Sequence, residues 1–281
     1  MVTLARVPGI ASYEATFNVL TFFAFVFGAI VGSFLNVVIH RYPIEESIVF
    51  PPSHCPECKA RIRWFDNVPI LAWLWLRGRC RDCRAPISLR YPLVELANAL
   101  FYLAIFLHTG PTIGFVLIAA FVSMTILLIY IDAEIQILPD VIDLPGIAVG
   151  IAIGALALGE AYPALVASAS IVDALGGALL GAAVILAVIG AYWLIRRVEG
   201  MGQGDVKMLA MIGAALGWRA VPGVLLLAAI CGTLIGVPIA LRSERGMQFP
   251  LPFGVFLGLA TLAVIFFGHT LSEWYLALLA S

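Results

Sequence analysis

The chain has 281 residues, of which 62% are hydrophobic and 12% charged, with a mean hydropathy of +1.05 and a formal net charge of −1. Soluble domains average about 45–50% apolar and about 25% charged residues. The balance here excludes a soluble enzyme and defines a polytopic membrane protein; the net charge says nothing about partners, and no nucleic acid is expected among them.

Crossing a bilayer takes about 20 apolar residues. On that length the chain divides into expected spans at 18–39, 92–108, 114–131, 141–159, 168–195, 206–217, 221–241 and 252–278, about eight in all. The fold class expected is all-α, a membrane helical bundle. Only Arg6 precedes the first apolar run, which is long enough to stay as a span, so no cleavable signal peptide is expected. The segment 206–217 is too short to cross ~30 Å of hydrocarbon unaided and reads as a half-helix. Small residues fill 174–191, and Gly28, Gly32 and Ser33 share one helical face; both patterns suit close helix packing.

One polar insertion interrupts the pattern at 41–91. The expected division is therefore an N-terminal transmembrane helix (1–40), a polar loop (41–91) and a transmembrane core (92–281). The loop holds Arg41, Lys59, Arg61, Arg63, Arg77, Arg79, Arg81, Arg84 and Arg90, nine of the sixteen basic residues. Basic loops stay cytoplasmic. Threading the spans from there adds Arg196, Arg197, Arg242 and Arg245 to the same side, thirteen of sixteen. Both termini then fall outside the cytoplasm, and Asp132 and Asp205 share the cytoplasmic face.

Within the loop, Cys55-Pro56-Glu57-Cys58 and Cys80-Arg81-Asp82-Cys83 form two CxxC pairs with 21 residues between them. The spacing resembles a four-cysteine zinc ribbon, slightly longer than the usual ~15–20. Four thiolates leave a zinc ion no open position, so such a metal is structural. Two disulfides are the rival reading, which a reducing cytosol disfavours. Cys231 lies in an apolar span and reads as a packing residue.

The acids carry the chemistry. Asp132 closes the run from Phe115 to Ile131 and opens Ile131-Asp132-Ala133-Glu134-Ile135-Gln136-Ile137-Leu138-Pro139-Asp140. Asp205 sits in Gly200-Met201-Gly202-Gln203-Gly204-Asp205-Val206-Lys207. Ionisable residues at the edge of hydrocarbon are expensive and functional by default. Two carboxylates that meet there suggest a shared proton and hydrolysis of a peptide bond. Gly202 and Gly204 permit a tight turn and close approach of an extended substrate. The bland alternative makes Asp205 and Asp140 N-caps of the helices that follow them.

These stretches, with Gly32-Ser33-Phe34-Leu35-Asn36-Val37-Val38-Ile39-His40-Arg41 and Arg90-Tyr91-Pro92-Leu93-Val94-Glu95, resemble the bacterial type IV prepilin peptidases in order and spacing from about 30 to 210. The resemblance implies an inner-membrane aspartyl endopeptidase whose catalytic acids are Asp132 and Asp205. Its implied partners are prepilins or type II secretion pseudopilins, cleaved after a Gly on the cytoplasmic side. Asp140, Lys207, Gly202 and Gly204 are expected at the substrate. Glu134 and Asp143 are weaker acids that could attract a basic leader. Many such enzymes also methylate the new amino terminus with S-adenosylmethionine. The resemblance associates that activity with the cysteine loop and Gly78, which could equally be a turn glycine. Asn36 and His40, polar at the cytoplasmic end of the first span, could hydrogen-bond the aspartate loops or the substrate. A transporter, a zinc hydrolase and a non-enzymatic pilus-assembly protein are the other readings. Charges at one face rather than the midplane count against the first, and the lack of an HExxH helix against the second.

Overall fold

The computed structural model describes residues 10–197, 202–242 and 251–280. Arg6, Arg245 and the Gly200-Met201 half of the second aspartate turn lie outside them. Among the described residues the chain is helical and has no strand. Its long helices are α1 (Ile10–Arg41), α3 (Arg90–Thr109), α4 (Ile113–Ile135), α5 (Asp140–Ala155), α7 (Ile171–Arg196), α8 (Gln203–Leu216), α9 (Val221–Arg242) and α10 (Phe253–Ala280). Two short pieces, α2 (Leu71–Trp75) and α6 (Leu158–Ala161), lie in connections.

Five helices among the described residues are long and apolar enough to span a bilayer: α1, α3, α4, α7 and α9. The count of eight is not confirmed: α5 is shorter than the span expected over 141–159, and α8 is the short helix expected over 206–217. With 16 and 14 residues at ~1.5 Å per residue, each falls short of ~30 Å.

The chain divides into two compact units, Met1–Phe115 and Val116–Ser281. In the first, α1 packs on α3 through the glycines of the opening motif. A Cβ on Gly28 would stand 2.7 Å from Tyr102 Cβ, and one on Gly32 would stand 2.7 Å from Glu95 Cα. The backbones thus touch, as small-residue pairs four apart allow. Asn98 Nδ2 donates to the Gly28 carbonyl at 2.7 Å across the same seam. After α1, Arg41 does not face solvent as a loop cation should. It is 5% exposed, and its guanidinium donates to the carbonyls of Ser47 (2.7 Å) and Pro51 (2.6 Å), folding the chain back.

In the second unit α8 is the centre. Every residue from Met208 to Leu216 is buried. α5, α7 and α10 pack around it, again at glycines. A Cβ on Gly150 would meet Ala214 Cβ at 2.7 Å. Gly177 and Gly213 bring the α7 and α8 backbones so close that a Cβ on either would strike the other's carbonyl. This explains a helix that is apolar from Met208 onward yet too short to span: its surroundings are protein, not lipid. At the start of α7, Ser170 caps the helix by accepting the Asp173 N–H at 3.1 Å.

Overpacking a filled interface costs about 1–3 kcal/mol and more where backbone must move. Gly213→Val is therefore expected to lower the melting temperature of detergent-purified protein sharply. Gly190→Val, where an added Cβ meets nothing, is expected to leave it unchanged.

Candidate functional site

The second unit gathers the acids around two helix N-termini. α4 ends at Ile135 because the next residue, Gln136, turns left-handed (φ 55°), its N–H donating to the Asp132 carbonyl at 2.9 Å. Asp132, 4% exposed, then points at the first turn of α10. Its Oδ2 accepts the Val255 N–H at 2.9 Å, with the Gly254 N–H also directed at the carboxylate. The first amides of a helix have no partner within it. Pro252, just before α10, offers no side-chain acceptor, so Asp132 caps that helix from a distant part of the chain.

Asp205 is not an N-cap. Gly202 is the cap, and Asp205 is the third residue of α8. Its carboxylate reaches back to the Gly202 N–H, the half of a capping box that an acid at that position supplies. The charges of Asp132 and Asp205 lie close enough to repel one another. Leu138 fixes this meeting. A Cβ on Gly204 would lie 2.8 Å from Leu138 Cβ; one on Gly254 would lie 3.1 Å from Leu138 Cδ1 and 2.8 Å from Asp132 Oδ2. Leu138 thus packs between the two helix starts, and Gly204 is small because Leu138 occupies the space. Gly202 is different, with only Gly204 N (3.9 Å) and Asp205 Oδ2 (4.0 Å) within reach of an added Cβ. It borders the carboxylate and is otherwise open.

Asp140 follows Pro139, which holds the cap position of α5, so Asp140 is no cap either. It pairs with Lys207 of α8, both partly solvent-exposed. One turn on, Asp143 is 0% exposed, and neither carboxylate oxygen has a hydrogen-bond partner. Burial removes Asp143 as a surface acid for a basic leader. It stays within electrostatic reach of Asp140, Lys207 and Asp205. Sequence reasoning thus named the acids but missed Leu138, Gly254 and Val255, which place them. The one available signal was Pro252 opening an apolar run.

In the first unit the four cysteines meet. Their sulfurs all lie within 4.8 Å of one another, and Cys55 Sγ and Cys83 Sγ are 3.8 Å apart. A disulfide needs ~2.05 Å, and all four cysteines are free thiols. Tetrahedral Zn–S bonds of ~2.3 Å place sulfurs about 3.8 Å apart, so the donor set fits a four-coordinate metal. Each pair folds alike. Cys55 N–H donates to Ala60 O (2.9 Å) and Cys80 N–H to Ala85 O (2.8 Å), while the residue after each second cysteine, Lys59 or Arg84, turns left-handed (φ 58° and 61°). Backbone N–H groups of Cys83 and Asp82 draw the Cys80 thiol down to about 7. At Cys83 the Ala85 N–H pulls the same way, but desolvation and the other three sulfurs outweigh it and push that thiol up to about 12. Without a cation the four cannot all ionise. Arg81 anchors the second pair, its guanidinium forked on Asp66 at 2.7 and 2.6 Å, which holds the Asp66 carboxyl below its ordinary range.

Gly78 has φ +65°, and an added Cβ would press on Trp73 at 2.9 Å. Trp73 in turn donates to Ile87 O at 3.0 Å. The turn reading of this glycine therefore has a structural basis.

Two family models match the chain: the bacterial peptidase A24 N-terminal domain over residues 26–109, and the type IV leader peptidase family over residues 119–237. A prepilin leader peptidase/N-methyltransferase of Aeromonas hydrophila is 37% identical over 90% of this chain and 92% of its own length. One from Burkholderia pseudomallei (strain 1026b) is 38% identical over 88% and 85%, and one from Myxococcus xanthus 42% over 79% and 64%. No solved structure matches. The chain belongs to the type IV leader peptidase family.

Partly exposed ion pairs contribute about 0.2–1 kcal/mol. A double-mutant cycle on Asp140→Ala and Lys207→Ala, read by thermal unfolding, is expected to give coupling in that range, with neither single change preventing folding.

Proposed function

We propose that this chain is a membrane-embedded aspartyl endopeptidase. It removes the basic leader from type IV prepilins or type II secretion pseudopilins, then methylates the new amino terminus from S-adenosylmethionine. The observation that carries the peptidase reading is the meeting of Asp132 and Asp205 at two helix starts in a chain of this family.

The chemistry follows from the pair. One carboxylate takes a proton from water as its oxygen attacks the scissile carbonyl. The other, protonated, donates to the carbonyl oxygen. Collapse of the tetrahedral species expels the new amine, which takes up a proton, and one proton remains shared by the pair. Two close carboxyls titrate together, so the resting proton belongs to both. Gly202, Asp140 and Lys207 would border the bound peptide. The positive-inside rule supports cleavage at the cytoplasmic face, with the basic leader held there and the apolar segment in lipid. On this reading both termini lie outside the cytoplasm.

In the first unit we assign a structural zinc to Cys55, Cys58, Cys80 and Cys83, the sulfur spacing supporting it. Its role is to hold the 41–91 loop folded. The methyl donor would bind the same unit, where a cavity of about 520 Å³ lies between α1, the start of α3 and the cysteine loop. That volume suits a small-molecule ligand. Gly78 would act there through Trp73, which lines the cavity.

Mass spectrometry of a co-expressed prepilin reads cleavage and N-methylation together. Asp132→Asn and Asp205→Asn are each expected to slow cleavage on the order of 10²–10⁴-fold with protein still inserted, and Asp140→Asn to slow it less. Gly254→Ala, which crowds the Asp132 carboxylate, is expected to cost about 10²-fold. Full activity of either aspartate variant would remove the assignment. Cleaved but unmethylated product from the parent chain would leave a peptidase alone.

Metal analysis of purified protein is expected to find one zinc per chain, lost in Cys58→Ser. Absence of metal from the parent chain would reject the structural site.

A further inference from the structure

The loop between α1 and α3 exposes two apolar clusters where a water-facing segment would carry charge. One is the run Ile48-Val49-Phe50, with Val49 69% and Phe50 72% exposed. The other is α2. Its Leu71, Leu74 and Trp75 are exposed, while Ala72 and Trp73 line the cavity of the cysteine loop. Residues three and four apart share one helical face. Contiguous exposed apolar surface marks a protein partner or a membrane.

Both clusters are tied to helices long and apolar enough to span. Arg41, the last residue of α1, donates to the Ser47 and Pro51 carbonyls. That pins residues 48–50 at the end of the helix. Within this turn Ser47 Oγ accepts the Val49 and Phe50 N–H groups, each at 3.3 Å. Two amides that lipid could not satisfy thus already have an acceptor, and the turn presents its side chains.

α2 is pinned deeper. Ile70, its cap residue, donates its N–H to Glu95 Oε2 of α3 at 2.6 Å. Ile70 is held at φ 63°, which a β-branched residue adopts only at a cost. α3 has 20 residues and needs all of them to cross ~30 Å of hydrocarbon. Glu95 lies five residues in from Arg90, where α3 begins, or about 7.5 Å along the axis. Interfacial helices lie about 5–10 Å into the boundary of headgroups and acyl chains, the depth of the Ile70–Glu95 bond. Beside that bond, Leu93 and Leu96 of α3 and Phe34 of α1 are exposed on helices that span. Trp75 has its indole N–H on the Asp66 carboxylate and its ring half exposed. A satisfied polar end with an outward apolar body suits a tryptophan at a membrane interface.

We infer that the cysteine loop rests in the bilayer interface, with Ile48, Val49, Phe50 and the outer face of α2 buried among headgroups and upper acyl chains. Charge favours lipid over a basic leader as the occupant. Residues 41–91 carry nine basic side chains against five acidic, a balance that anionic headgroups attract. The inference needs the spans and neither enzymatic activity.

Photo-crosslinking of the full chain in nanodiscs containing anionic phospholipid tests it. The photoreactive amino acid p-benzoylphenylalanine replaces Phe50, Leu74 or, as a control, the exposed Glu57 between the first two cysteines. Mass spectrometry then identifies the adducts. Lipid is expected as the main adduct at positions 50 and 74, about ten-fold or more above position 57, the preference that burying one large apolar side chain confers. Peptide in place of lipid at either position overturns the inference, whether it comes from the second unit, another copy of the chain or a co-reconstituted prepilin. So does lipid of equal yield at position 57, or no adduct at 50 and 74. Trp75→Phe gives a second reading with the aromatic ring retained. Phospholipids brominated near the headgroup end of their acyl chains are expected to quench a component of the parent fluorescence that this variant lacks. Equal quenched components in the two proteins place Trp75 away from lipid and likewise overturn the inference.

Discussion

The second unit depends on backbone contact between α7 and α8 at Gly177 and Gly213. Any side chain there would push the helices apart. Their closeness closes protein around α8, and only that enclosure lets a 14-residue helix, apolar from Met208 onward, rest where lipid would demand a longer one. The functional consequence is the position of its N-terminus. A helix long enough to span would carry its ends to the two membrane surfaces. A short, enclosed one can present its first turn, with Asp205, to the end of α4.

Asp132 meets it there because another helix lacks a cap. The first amides of α10 are satisfied by the Asp132 carboxylate and not by a residue preceding them. One contact thus serves two ends: it completes α10 and immobilises the acid. Asp205 is held by the same chemistry within its own helix, through the Gly202 N–H. Bound acids placed by backbone amides have little rotamer freedom, and fixed geometry is what proton transfer across a hydrogen bond requires. The reading of Asp205 as an N-cap gives way to one in which Gly202 is the cap and Asp205 meets its amide. On the catalytic role proposed above, these amide contacts are the means by which the carboxylates are aimed.

Much of this was legible in the sequence because the relevant physics is local. The CxxC pairs announce a metal-binding knuckle, and Gly28 and Gly32 announce a close helix seam. Charge at the end of an apolar run announces Asp132. Non-local facts were not legible. Periodicity cannot tell that α8 is enclosed by protein rather than lipid, because both surroundings select the same residues. Nothing near Asp132 reveals that its partner amides belong to residues 254 and 255. Arg41 was counted as a loop cation, and only the fold-back of residues 47–51 turns it into a buried latch. Asp143 looked like a surface acid because a charge near a helix start usually is one, yet α5 turns it inward.

Asp143 and Asn36 share an anomaly, since each buries polar atoms that no other group satisfies. They differ in what surrounds them. Asp143 is wholly enclosed, in electrostatic reach of Asp140, Lys207 and Asp205. A carboxyl there can remain uncharged and burden the fold with no more than its own desolvation. Asn36 has no such escape, because an amide does not titrate. Its Oδ1 is an acceptor at every pH, and the amide is held instead through Nδ2, which donates to the Tyr91 carbonyl at 3.0 Å and fastens α1 to α3. That single unpaired oxygen is offset by the contact its own nitrogen makes across the α1–α3 seam.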